Sequence, residues 1–167
     1  MFDTIAGLPL HPLVVHATEV TVPVTAMAVL LAALWPAFRR WAGVLPLALA
    51  LASLVLVPLS TQSGEALEHR VGGDALIEKH SQLADGLLPW VIALVLVAAG
   101  LLAWTWKSRK ADVPARGPRW VVFALAACAL VATTGTTVQA VEIGHSGATA
   151  VWHEDMKAAP KADSDAG

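Results

Sequence analysis

The chain has 167 residues, of which 56% are hydrophobic and 14% are charged, and its mean hydropathy is +0.63. This composition is far more apolar than that of soluble domains and indicates a protein of the lipid bilayer. The net charge of −2, without a basic stripe or recognition motif, gives no support to nucleic acid as a partner. The single cysteine excludes an intramolecular disulfide and the two-cysteine attachment of c-type haem.

Four stretches are apolar and long enough to cross about 30 Å of hydrocarbon as helices. We place these spans at about residues 13–34, 44–61, 87–106 and 120–141. The sequence thus predicts an all-α membrane protein, a four transmembrane helix bundle that forms one domain over residues 1–153. The second span is short, but the residues after it favour helix and allow it to lengthen. Residues 154–167, rich in Ala, Lys and Asp, are expected to form a disordered tail.

The basic residues predict the orientation of these spans. Seven of the 11 Lys and Arg lie in the short loops that follow the first and third spans. By the positive-inside rule, both loops are cytoplasmic. Both termini and all six histidines then lie on the outer side of a multi-pass protein of the cell membrane, that is, the inner or plasma membrane. The first ten residues contain no Lys or Arg, so we expect the first span to remain in the mature protein.

The first span carries an acid, which is unusual inside a membrane. His16 lies just over one turn beyond Pro12, and Glu19 follows three residues later on the same helical face. A carboxylate at this depth is costly unless it is paired or faces a polar cavity. We therefore take Glu19 and His16 as candidate residues of a functional site. The alternative is an interfacial histidine and an acid that is hydrogen-bonded to neighbouring helices.

A further histidine precedes the third span. Asp74 is a good N-cap for a helix that carries His80 and runs straight into that span. The face of His80 is apolar at helical spacing, with Leu76, Leu83, Ala84 and Leu87. We therefore expect His80 to point into the bundle. As a lone histidine on an apolar face, it is either a buried structural residue or a ligand.

The outer half of the fourth span carries polar residues at helical spacing, namely Gly135, Gln139, Glu142 and Ser146, with His145 three residues after Glu142. These residues either join helices by hydrogen bonds or form a site in which Glu142 holds the ring of the ligand His145. His69 pairs at helical spacing with Glu65 and is expected to be mostly solvated.

Three segments together resemble a known family. They are the sequence from Gly7 to His16 with its His-Pro-x-x-Val-His pattern, Thr61-Gln-Ser-Gly-Glu65 with His80, and Gly144-His145-Ser-Gly up to Trp152-His153. The chain is similar, from about residue 7 to 153, to the bacterial predicted membrane proteins called domain of unknown function 2231. The resemblance implies a four-helix membrane unit with histidines gathered at one end. It implies no particular activity.

Three functions fit these residues, and the first is our leading interpretation. In it, His16, His80 and His145 bind haem b near the outer face, as in four-helix b-type cytochromes, for membrane electron transfer. In the second, His11, His16, His80 and His145 bind copper or zinc without haem. In both, Glu19, Glu65 and Glu142 are the carboxylates that support the ligand rings.

The third interpretation is a non-catalytic membrane scaffold or accessory subunit of a larger, respiratory complex. The predicted partners are the lipid bilayer and either a membrane redox protein or further copies of this chain. We do not expect an enzyme acting on its own, because the sequence has no nucleophile motif and no His-Glu-x-x-His motif.

Overall fold

The computed structural model describes residues 4–5, 8–71, 75–110 and 118–157. Within these residues the chain forms six helices: Leu10–Leu34 (α1), Pro36–Ala42 (α2), Leu45–Val71 (α3), Ala75–Asp85 (α4), Leu87–Lys110 (α5) and Arg119–Lys157 (α6). Two strands of two residues each, Thr4–Ile5 (β1) and Leu8–Pro9 (β2), pair in antiparallel fashion before α1. Apart from this short pair, the regular structure of the described residues is therefore all helical.

Four segments are long and apolar enough to cross a membrane, at His11–Leu34, Leu45–His69, Ala75–Lys107 and Trp120–Trp152. They confirm the four predicted spans, and the second span does lengthen. The last helix, α6, has 39 residues and is about 58 Å long at the usual helical rise. It thus extends beyond the hydrocarbon layer and includes residues 154–157 of the tail that we expected to be disordered. The remainder of that tail lies outside the described residues.

The long helices form a closed ring in the order α1, α3, α5, α6, and each packs against its two neighbours. The short α4 directly precedes α5 in the chain and packs mainly on α6. The core between the helices consists largely of small and branched residues, among them Ala26, Val29, Ala32, Ala50, Leu94, Ala98 and Ala129. Small residues let helix backbones approach closely, which is how helices associate where lipid is the solvent.

The short helix α2 links α1 to α3 at one end of the bundle. It begins at Pro36, whose missing N–H costs nothing at the first helical position. It ends at Gly43, whose φ of 58° suits glycine. Arg39 Nη1 donates to the carbonyl of Ala32 at 3.0 Å. Burial lowers the pKa of Arg39, and Arg40 lowers it further, but the ordinary value is so high that Arg39 stays charged.

The sequence predicts that the helix carrying His80 runs straight into the third span, but in the structure this helix is interrupted. It breaks at Gly86, between α4 and α5. Pro89 has no N–H to donate to the carbonyl of Asp85, so the α-helical ladder is interrupted there. The Gly86 N–H instead bonds to the carbonyl of Leu83 at 3.1 Å, and Gln139 Nε2 of α6 donates to the same carbonyl at 2.7 Å.

The bundle consists of two similar hairpins, and the first evidence is the match between α1 and α5. An offset of 69 residues (11 to 80) takes His11 to His80. The same offset takes six buried residues of α1 to six buried residues of α5. Thr18, Val22, Thr25, Ala28, Val29 and Ala32 correspond to Leu87, Val91, Leu94, Val97, Ala98 and Leu101.

The returning helices, α3 and α6, match in the same way. An offset of 83 residues (63 to 146) takes Ser63-Gly64 to Ser146-Gly147, and it takes the buried Ser53 to the buried Thr136. We call α1 with α3 the first hairpin, and α4 and α5 with α6 the second hairpin. Exchanging the two hairpins preserves the order of helices around the ring. They are therefore related by a pseudo-two-fold axis that runs along the bundle.

Candidate functional site

The first histidine of the site is His11, at the start of α1. Its half-buried ring reaches α3, where Nδ1 is hydrogen-bonded to Ser63 Oγ at 3.0 Å. The ring also lies against Gly64, where an added Cβ would be 3.1 Å from the His11 Cε1. We call this arrangement, a ring on one helix and a Ser-Gly dipeptide on the next, a His–Ser–Gly unit.

The second His–Ser–Gly unit is built by α4 and α6. His80 Nδ1 is hydrogen-bonded to Ser146 Oγ at 3.0 Å. The ring lies against Gly147, where an added Cβ would be 3.1 Å from the His80 Cε1. His80 is half-buried and points into the bundle, as its apolar helical face predicted. The two units have the same partners at nearly the same distances.

The two units lie together at one end of the bundle, which we call the histidine end. α4, which carries His80, packs on α6 and also on α3, the helix whose Ser63 holds His11. The two histidines belong to different hairpins, since α1 carries one and α4 the other. Within the described part of the chain, the Nε2 atom of neither ring has a hydrogen-bond partner. The histidine end thus holds two oriented imidazoles, each with one ring nitrogen that is not engaged.

His16 and Glu19 lie on α1 but turn away from the bundle. The His16 ring is exposed, and its Nδ1–H donates to the carbonyl of Pro12 in its own helix. Glu19 is exposed as well, within a membrane-spanning segment. The spacing correctly predicted that the two share a helical face, but that face is the outer one.

Glu142 and His145 also have exposed side chains, on α6. With Lys79 of α4 and Thr149, they line an open groove of about 580 Å³ between α4 and α6. Ser146, the partner of His80, lies in the wall of the same groove. The predicted polar stripe is therefore divided. Gln139 and Ser146 contact α4, whereas Glu142 and His145 are exposed.

The remaining candidate residues do not join the two units. Glu65 and His69 are exposed on the last turns of α3, as expected for His69. The side chain of His153 lies outside the described residues. In the part of the chain that the structure describes, no three His, Cys, Asp or Glu side chains lie close enough to hold one metal ion. The expected convergence of His16, His80 and His145 is thus not found, and the structure brings His11 and His80 together instead.

Sequence reasoning missed the contribution of the two serines and the two glycines. The signal was present, because a Ser-Gly dipeptide occurs at residues 63–64 and again at 146–147. An internal comparison of the two halves of the chain, aligned on His11 and His80, would have found it.

Comparison with known proteins agrees with this architecture. No curated protein and no solved structure matches the chain. Residues 7–160 match the family model described as predicted membrane protein (DUF2231). This range contains both His–Ser–Gly units and all four membrane-spanning segments, and it confirms the resemblance seen in the sequence. The chain belongs to the DUF2231 family of predicted membrane proteins.

Proposed function

We propose that this protein binds haem b, or alternatively a bare copper or zinc ion, through His11 and His80, and that it serves membrane electron transfer. The observation that carries the proposal is the pair of His–Ser–Gly units, which orient two imidazoles from different hairpins at one end of the bundle. Imidazole nitrogen is a good ligand for iron, copper and zinc. Histidines that bind metal generally use their second ring nitrogen in a hydrogen bond, as both rings do here.

The ligands proposed here differ in part from those predicted from the sequence. His80 is kept, and His11 takes the place of His16 and His145. The reason is orientation, because His16 and His145 are exposed whereas His11 is held by a neighbouring helix. Ligation by His16 or His145 stays a prediction, and the experiment below includes it.

The number of available ligands favours haem over a bare ion. Haem iron is bound by the porphyrin ring and needs only axial ligands from the protein, which two histidines on facing helices can supply. A structural zinc site needs four protein ligands and a catalytic site three. The described residues offer no group of three. A copper or zinc ion at His11 and His80 would therefore need ligands from solvent or from beyond the described residues.

We place this site on the outer side of the inner or plasma membrane. Arg39 and Arg40 lie on α2, at the end of the bundle opposite the histidines, and the positive-inside rule makes that end cytoplasmic. The test uses His69→Cys and Lys107→Cys in a Cys128→Ala background. In intact cells, an impermeant thiol reagent should label position 69 and spare position 107. The reverse pattern would invert the orientation.

The function is tested by the visible spectrum and metal content of the purified full-length chain, before and after incubation with haemin, copper or zinc. We expect a Soret band that sharpens on reduction with dithionite. His11→Ala and His80→Ala should each lose it, while the exposed His69→Ala should keep it.

Two results would contradict the proposal. One is a chain that takes up neither haem nor a stoichiometric metal. The other is full cofactor occupancy in both His11→Ala and His80→Ala. Loss of the cofactor in His16→Ala and His145→Ala alone would return the ligands to those predicted from the sequence.

The second candidate function is a scaffold or accessory subunit, and the position of Glu19 favours it. This carboxylate is exposed within a membrane-spanning segment, where facing lipid is costly unless a partner covers it. The partner would be a second copy of the chain or a membrane redox complex. A cofactor-free protein whose association in detergent is weakened by Glu19→Leu would support this function. A cofactor-free monomer unaffected by that change would contradict it.

A further inference from the structure

Each serine that holds a histidine ring also lies within hydrogen-bonding distance of a backbone carbonyl, which can only accept. Ser63 Oγ donates to the carbonyl of Ser60 at 3.0 Å, and Ser146 Oγ donates to the carbonyl of Ile143 at 2.9 Å. A hydroxyl whose proton is engaged can take part in a further hydrogen bond only as an acceptor. With the hydroxyl proton on that carbonyl, the ring nitrogen that lies 3.0 Å from each serine is the donor.

This assignment fixes the tautomer of both rings. A neutral imidazole has one proton, so a proton on Nδ1 leaves a free lone pair on Nε2. The atom left with the lone pair is the one that lacks a partner within the described residues.

The glycines complete each unit by giving the ring room. Gly64 and Gly147 directly follow the two serines. A Cβ at either position would lie 3.1 Å from the Cε1 of His11 or His80. This is shorter than the optimal separation of about 3.5–4.0 Å between carbon atoms. Each ring is thus packed against bare helix backbone while the preceding serine holds its Nδ1 edge.

The same arrangement occurs at equivalent positions of the two hairpins. The offset that aligns the buried faces of α1 and α5 also aligns His11 with His80, and the offset that aligns Ser53 with Thr136 also aligns Ser63 with Ser146. The repetition of the hydrogen bond with donor, acceptor and glycine unchanged points to two equal halves of one site.

We propose that Ser63 and Ser146 are positioning residues, which hold His11 and His80 as Nδ1–H tautomers and thereby present two equivalent Nε2 lone pairs. The inference rests on the proposed function only for what those lone pairs bind. The serines act through the rings and do not themselves contact the ligand.

The test is 15N NMR of the full-length chain with labelled histidine, in detergent micelles and without cofactor, at a pH where imidazole is neutral. The 15N shifts of the two ring nitrogens distinguish the tautomers, and His11→Gln and His80→Gln assign the signals. We expect both rings to carry the proton mainly on Nδ1. Ser146→Ala should shift His80 toward the Nε2–H tautomer that a free histidine side chain prefers, while His11 is unchanged.

Two further variants separate positioning from general damage. Ser146→Thr keeps a hydroxyl and should restore the tautomer of His80. Thr137→Ala removes an exposed hydroxyl that bonds only within α6, and it should change neither ring. A wild-type ring that is mainly Nε2–H, or a His80 tautomer unaffected by Ser146→Ala, would overturn the inference.

The inference and the proposed function fail separately. If both rings are Nδ1–H but no haem or metal binds, the serines are positioning residues and the proposed function is wrong. Suppose instead that both rings are Nε2–H in the cofactor-free protein and a cofactor nevertheless binds. The proposed function then stands and the inference about the serines is wrong. If both hold, Ser146→Ala should weaken cofactor binding by about 10–100-fold, the usual cost of losing such a hydrogen bond.

Discussion

The two hairpins carry the same His–Ser–Gly unit, yet different contacts hold each hairpin together below it. In the first hairpin the buried hydroxyls of Thr25 and Ser53 are hydrogen-bonded at 2.9 Å. The equivalent residues of the second hairpin are Leu94 and Thr136. Leu94 is fully buried, and the hydroxyl of Thr136 bonds to a carbonyl of its own helix. One hairpin thus uses a polar contact between helices where the other uses apolar packing.

The hairpins also differ in the sizes of the side chains at one pair of equivalent positions. The ring of Trp90 in α5 packs against Gly135 of α6 so closely that a Cβ at that glycine would overlap it. The equivalent residues of the first hairpin are Thr21 and Ala52. The second hairpin thus pairs a large side chain with a glycine, whereas the first has two small side chains at these positions. The comparison teaches that packing can vary between the hairpins, whereas the geometry of the two units is kept.

The largest expected effect comes from breaking the Trp90–Gly135 contact. Gly135→Ala forces the Trp90 ring to move and should lower the free energy of unfolding by about 1–3 kcal/mol, as overpacked cores do. The measurement is thermal unfolding in detergent. Gly144→Ala is the matched control, because a Cβ there meets nothing within 4 Å, and it should be neutral or slightly stabilising.

A second substitution in the same hairpin should partly restore the stability lost in Gly135→Ala. Trp90→Leu makes room for the new methyl group, so Trp90→Leu with Gly135→Ala should be less destabilised than the sum of the two single changes. Equal stability of Gly135→Ala and Gly144→Ala would show that the tight contact does not restrain the second hairpin.

A smaller effect is expected from the polar contact of the first hairpin. Ser53→Ala and Thr25→Val should each destabilise the bundle, and a double-mutant cycle should give a coupling of about 0.6 kcal/mol, typical of hydrogen bonds between membrane helices. Leu94→Val with Thr136→Ala at the equivalent positions is the control cycle, because no hydrogen bond joins those two side chains. Equal coupling in both cycles would mean that the two hairpins are held together in the same way.

Much of the fold could be predicted from the sequence, because spans depend on local composition. The apolar lengths gave four helices, and the apolar neighbours of His80 predicted its inward direction. The break at Gly86 was missed, although Pro89, which cannot donate to the carbonyl of Asp85, follows three residues later. Helical spacing showed that His16 shares a face with Glu19. It could not show whether that face meets another helix or the surroundings.

The candidate site was harder to predict, since its contacts join residues far apart in the chain. His11 and Ser63 are 52 residues apart, and His80 and Ser146 are 66 apart. No local pattern specifies such pairs, because they depend on which helices become neighbours and at what depth. A search for internal repeats would have supplied the missing constraint, because it aligns both pairs at once.

The pseudo-two-fold relation between the hairpins has a consequence for how such a chain enters a membrane. A unit of two spans returns the polypeptide to the side from which it started, so a second copy of the unit is inserted in the same direction as the first. The repeats are then parallel, with their axis along the membrane normal, unlike the inverted repeats produced by units with an odd number of spans. Residues at the same depth in each copy must therefore meet on the same face of the bilayer. A histidine that once served in a dimer of separate hairpins would find its counterpart again after gene fusion, with no change of topology.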